Sequence, residues 1–103
     1  MTKSDSLFVV IFRAKIKQLD AEYTAMAARM RELALGEFGC VDFQSMSAGD
    51  DELTLSWWVD EDSIRRWRAH PEHQQAQRLG RDKWYASYSV EVARVQRSYQ
   101  MLA

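Results

Sequence analysis

Cysteine, proline and glycine are scarce in this chain, and asparagine is missing altogether. With Cys40 as the lone cysteine, no intramolecular disulfide can form, which fits a reducing compartment and leads us to expect a cytoplasmic protein. There is no CxxC pair, no glycine-rich phosphate loop and no nucleophile elbow. Ser56, Ser87 and Ser89 fall in predicted strands without an evident His–acid partner, which argues against a hydrolase. No apolar run approaches membrane-spanning length, and Met1 to Ser6 is polar with no signal-peptide pattern, so no membrane partner is expected. A basic stripe is missing as well. The formal net charge is -1, and the arginines between Arg65 and Arg81 are mixed with Asp62, Glu72 and Asp82. They describe a solvated helix face and not a nucleic-acid surface.

What the chain does contain is enough for one domain. It has 103 residues, 47% hydrophobic and 28% charged, a globular composition whose small core would gain from a partner surface. Residues 1–6 are expected to be disordered or extended, residues 7–99 to form the domain and residues 100–103 to form a tail. Leu7 to Phe12 is a continuous apolar run rich in β-formers and predicts a strand buried on both faces. Helices can cover one face of a sheet in so short a chain, and the other then needs a second subunit; this predicts a homodimer. Asp20 caps a predicted helix to about Leu35 with Gly36 as its stop, and Tyr23, Met26, Ala27, Met30 and Leu33 form its apolar stripe. Cys40 to Ser47 and Glu52 to Val59 read as a hairpin around Ala48-Gly49-Asp50-Asp51. Trp57 and Trp58 are adjacent in the second of these strands and must enter different layers. Asp60 to Ser63 starts a short helix to about His70, Pro71 opens another to about Asp82, and Tyr85 to Arg97 forms a last strand. The order β-α-β-β-α-β is an α+β, ferredoxin-like split βαβ arrangement with an antiparallel sheet.

Chemistry-bearing residues concentrate in the C-terminal half. His73, Gln77 and Arg81 are spaced four apart and share one face of the predicted helix, with Trp67 before them and Trp84 and Tyr85 after. Such a set can line a small-molecule pocket with apolar walls and a few polar groups. The simpler alternative is that the polar residues face water and the aromatics are core. Trp58, Gln77, Trp84 and Tyr85 are candidate substrate contacts, although spacing leaves open which of Trp57 and Trp58 faces a cleft. His70 and His73 are the only histidines, and Pro71 between them breaks the helix turn a two-histidine metal site would use, so no metal site is expected.

The series Ser63-Ile64-Arg65-Arg66-Trp67, His70-Pro71-Glu72-His73, Ala76-Gln77, Gly80-Arg81, Trp84-Tyr85, Tyr88 and Val95-Gln96-Arg97-Ser98-Tyr99, preceded by Phe8 to Phe12, Gly39 and Ser56-Trp57-Trp58, resembles the antibiotic biosynthesis monooxygenase superfamily. The resemblance spans roughly residues 7 to 99. It implies a ferredoxin-like subunit that pairs sheet to sheet as a dimeric α+β barrel, with a cleft between sheet and helices. It further implies a cofactor-independent monooxygenase acting on a small phenolic or quinol-type aromatic, in which the substrate itself supplies electrons to O2. In that scheme Trp67 stacks on the ring, His73 takes the phenolic proton and Arg81 stabilises the negative charge. The sequence departs from better-understood branches: the asparagine of their clefts has no counterpart, and Gln77 stands where the haem-degrading pattern has a histidine. The alternatives are a non-catalytic dimeric module for a small hydrophobic ligand, or a haem-binding or haem-degrading protein.

Overall fold

The computed structural model describes residues 7–103; the N-terminal segment 1–6 lies outside the described residues. Strand β1 spans Phe8–Ile16, helix α1 Ala21–Gly36, β2 Asp42–Ala48, β3 Asp51–Trp58, α2 Glu61–Ala69, α3 Pro71–Leu79 and β4 Tyr85–Arg94, with a single π-helical turn at Gly80–Trp84 between α3 and β4. The strands form one sheet in the order β2-β3-β1-β4, antiparallel at every pairing. This is the expected α+β, ferredoxin-like arrangement.

Local signals account for most boundaries. The Asp20 side chain accepts from the Tyr23 amide at 2.8 Å and caps α1. The Asp60 carboxylate does the same for Ser63 at 2.7 Å and opens α2. His70 is extended at ψ 137°, as a residue before proline prefers, and its Nδ1 accepts from the Glu72 amide at the start of α3. One expected stop moves. Gly36 remains helical, and the chain turns at Gly39, whose φ of +77° lies in the left-handed region that favours glycine. The second strand therefore begins at Asp42, not Cys40. The last strand ends at Arg94 instead of Arg97.

The two sheet faces differ in a way that decides everything downstream. Directly paired residues share a face, so Phe8, Val10, Phe12 and Ala14 of β1 lie beside Trp58, Ser56, Thr54 and Glu52 of β3. This is the face the helices cover. Its core is Val10, Phe43 and Trp58 packed against Met30, Leu33 and Ala34 of α1 and Ile64 and Trp67 of α2. Val9, Ile11, Leu53, Leu55 and Trp57 occupy the opposite face, which no helix covers. In β3 Leu53, Leu55 and Trp57 point to this uncovered face, whereas Glu52, Thr54 and Ser56 point under the helices together with Trp58. Among the described residues, no helix is long and apolar enough to cross a membrane.

Candidate functional site

The helices do not seal the sheet. A cavity of about 350 Å³ lies between them, walled by Val10 and Phe12 of β1, Met26 and Ala27 of α1, and Val90 of β4. Its two ends differ chemically. At one end Trp67 packs on Trp58, with ring centroids 5.0 Å apart, and edge-on to Phe43 at 6.2 Å. Its indole donates to the Met30 carbonyl oxygen at 3.2 Å, which fixes the ring as a wall. The His73 imidazole stands edge-on to Trp67 at 4.4 Å. His73 Nδ1 is buried and has no hydrogen-bond partner among the described residues. Burial first, then the nearby Arg68 and His70 charges, push the His73 pKa down to about 4, so the ring is neutral at pH 7. Arg68 also lines the cavity. Arg65 and Arg66 both pair with Asp62, whereas Arg68 has no carboxylate partner among the described residues.

At the other end, Glu52 is buried with 8% of its surface exposed. Its Oε1 accepts from the Tyr23 hydroxyl at 2.7 Å and from the Tyr85 hydroxyl at 3.3 Å. Burial, reinforced by the Glu52 charge, holds both phenols protonated far above the usual tyrosine range. Trp84 stands edge-on to Tyr23 at 5.3 Å, and its indole donates to Asp20 Oδ1 at 3.0 Å. That contact ties the π turn to the start of α1. Phe43 pairs with Ser56, four residues from Glu52 on the same face, so the two ends are separated by roughly 13 Å along β3.

Of the residues expected from sequence, Trp67, His73, Gln77, Trp84 and Tyr85 all line this cavity. Two do not. Arg81 is exposed and away from it. The expected helix from Pro71 to Asp82 stops at Leu79, and the wider turn at Gly80–Trp84 carries Arg81 off the His73–Gln77 face while turning Trp84 inward. Trp58 is fully buried beneath Trp67, with its indole donating to Ser56 Oγ at 2.8 Å; it supports the wall and does not line the cavity. Trp57 faces the uncovered side of the sheet. The two histidines are also divided: His70 caps α3, and only His73 reaches the cavity. Among the described residues, no group of three or more His, Cys, Asp or Glu side chains is placed to hold a metal ion.

Sequence reasoning missed Arg68, Glu52 and Tyr23. Arg68 was hidden in a run of solvated arginines, and Tyr23 in an apolar helix stripe. Glu52 carried a usable signal: it shares strand parity with Trp58, so once Trp58 is placed under the helices, Glu52 must follow it inside.

Residues 7–79 match the family described as antibiotic biosynthesis monooxygenase. This chain belongs to that family. Over 97 residues it is 38% identical to the uncharacterised protein YqjZ of Bacillus subtilis, covering 93% of this chain and 85% of that one. It is 36% identical over 93 residues to the jasmonate monooxygenase ABM of Pyricularia oryzae; that match covers 86% of this chain but 43% of the fungal protein, so this family member spans less than half of it. Among solved structures, SnoaB, a cofactor-independent oxygenase from Streptomyces nogalater, superposes with a TM-score of 0.72 at 17% identity, covering 94% of this chain and 97% of that one. A conserved protein from Methanosarcina mazei superposes at 0.76 with 18% identity, covering 88% and 94%. At these identities the superpositions establish the shared fold.

Proposed function

We propose that this family member is a cofactor-independent monooxygenase that oxidises a small phenolic or quinol-type aromatic with O2 inside the cavity. The observation that carries the proposal is the end of the cavity where a neutral imidazole and a guanidinium with no carboxylate partner among the described residues meet at an aromatic wall. His73, uncharged at pH 7, accepts the phenolic proton; the substrate O–H bond breaks and an N–H bond forms. Arg68 stabilises the resulting phenolate, the part sequence reasoning gave to Arg81. The phenolate passes one electron to O2, and the radical and superoxide combine at a ring carbon as a peroxide. Loss of water then leaves a carbonyl. With His73 returning its proton to the peroxide, the phenolic C–OH, a ring C–H and O2 become, in sum, two C=O groups and water, and the four electrons lost by the ring account for the complete reduction of O2. Trp67 holds the ring, and the apolar walls keep water from the radical pair. Gln77 offers an amide where the haem-degrading pattern has an imidazole, which weakens the haem alternative.

The working unit in this proposal is a homodimer. Val9, Ile11, Leu53, Leu55 and Trp57 form a continuous apolar set on the uncovered sheet face, as the two-sided burial of β1 requires.

The deciding experiment is oxygen uptake by the metal-free protein with hydroquinones, catechols and anthrone-type phenols. Uptake lost in Trp67→Ala, His73→Ala and Arg68→Ala but kept in Arg81→Ala is the expected result. Uptake that survives all three cavity variants overturns the residue assignment. A phenol that raises the melting temperature without oxygen consumption favours the non-catalytic binding module.

A further inference from the structure

The far end of the cavity holds a carboxylate that the reaction above does not use. Glu52 is buried, and no Lys, Arg or His side chain among the described residues pairs with it. Its two oxygens are unequally served. Oε1 takes both tyrosine hydroxyls, at 2.7 and 3.3 Å. Oε2 has a single long contact of 3.4 Å from Thr54, whose hydroxyl also lies 2.7 Å from Ser45 Oγ. A carboxylate offers about four acceptor positions, and the long Thr54 contact leaves Oε2 with acceptor capacity to spare. Glu52 lines the cavity, so the unfilled capacity of Oε2 is available to whatever occupies it. The two ends are therefore complementary: the Arg68 end attracts a negative oxygen, whereas the Glu52 end repels one and rewards a hydrogen-bond donor.

We infer that Glu52 Oε2 is a hydroxyl-recognition subsite, accepting a hydrogen bond from a second, uncharged hydroxyl at the end of the substrate remote from Arg68. The inference rests on the cavity being the ligand site. It narrows the substrate class to aromatics that carry a second hydroxyl at the end remote from Arg68.

The test is calorimetric titration of the full-length protein with 6-hydroxy-2-naphthoic acid, its 6-methoxy ether and 2-naphthoic acid. The shared carboxylate orients each probe toward Arg68, and only the first presents a donor to Glu52. The expected result is a Kd for the hydroxy acid at least about tenfold below that of either companion, the size of a charge-assisted hydrogen bond. Glu52→Gln is expected to shrink that ratio to less than about threefold, while Arg68→Ala weakens all three probes in parallel. Equal affinities for the hydroxy and methoxy acids in the wild type overturn the subsite and leave the cavity as a ligand site. So does a preference that Glu52→Gln leaves intact. If none of the three probes binds, the cavity itself is lost as the site, and the function proposed above falls with the subsite. The wild-type comparison needs no variant, so it decides the matter even where Glu52→Gln is unstable.

Discussion

Tyr23 on α1 and Glu52 on β3 are joined by a hydrogen bond of 2.7 Å between residues 29 positions apart. It is the polar link between the first helix and the cavity floor. Glu52 is too buried to recruit water freely, so loss of the donor is felt. Tyr23→Phe is expected to lower the unfolding free energy by about 1.5–3 kcal/mol, the range for hydrogen bonds to charged groups. Urea denaturation measures this, and a change under about 0.5 kcal/mol, typical of an uninvolved surface site, counts against the link.

Gly80 carries a second expectation. A Cβ built there would lie 3.0 Å from Tyr85 Cδ2 and 3.1 Å from its Cε2. Glycine to alanine in an ordinary helix is stabilising by up to about 1 kcal/mol. Here the added methyl must displace a ring held by Glu52 and by Phe12 at 5.4 Å, so Gly80→Ala is expected to destabilise instead, by about 1–3 kcal/mol. The same substitution shifts a cavity wall, so weaker binding of the naphthoic probes is expected alongside the lower melting temperature. An alanine variant as stable as the wild type with unaltered ligand affinity means the ring has room to yield.

The contrast between Arg81 and Tyr85 shows how far the sequence could be read. Patterning was enough for the elements and their order, because strand runs, caps and Pro71 act locally. It was enough for most of the cavity wall too, since Trp67, His73 and Gln77 precede any irregularity. It failed at Arg81, which the π turn after Gly80 carried off the face assumed for it, whereas Trp84 and Tyr85 line the cavity as the sequence suggested. Side-chain phase carries through a helix only while the turn is constant. Glu52 was missed for another reason. The alternation in β3 places Leu53, Leu55 and Trp57 on the face away from the helices, and an expectation that hydrophobic means helix-facing puts the carboxylate in water.

His73 makes stability depend on pH. Its folded pKa of about 4 lies below the ordinary histidine value of 6.5, chiefly through burial. The unfolded chain therefore takes up a proton first as pH falls. The stabilising effect of keeping the ring neutral is fully present above pH 6.5 and declines from there down to about 4, by up to about 3 kcal/mol. The charges facing the ring from its surroundings, Arg68 and His70, push the same way. His73→Gln, which keeps polarity without a titrating ring, is expected to flatten the melting-temperature profile across that window. A variant with the same slope as the wild type would assign the pH dependence elsewhere, the carboxylates of Asp20, Asp60 and Glu72 being the next candidates at lower pH.

Val10 and Ile11 are neighbours in β1 with opposite surroundings, and together they test the homodimer. Val10 is 5% exposed and sits in the core beneath the helices, next to Ser56 and Val92. Ile11 points to the uncovered face beside Leu55. A charge at either position has no partner, but the consequences separate. Val10→Asp places a carboxylate in the subunit core at a cost of several kcal/mol and is expected to leave no folded protein. Ile11→Asp spoils only the face proposed to lie between subunits, so the expected product is a monomer with native circular dichroism and lower stability. Light scattering at micromolar concentration distinguishes these outcomes. A wild-type protein that is monomeric there, or an Ile11→Asp variant that remains dimeric, removes the uncovered sheet face as the dimer interface. The cavity would then have to be considered within a single subunit, because every residue lining it lies on the helix-covered side of one chain.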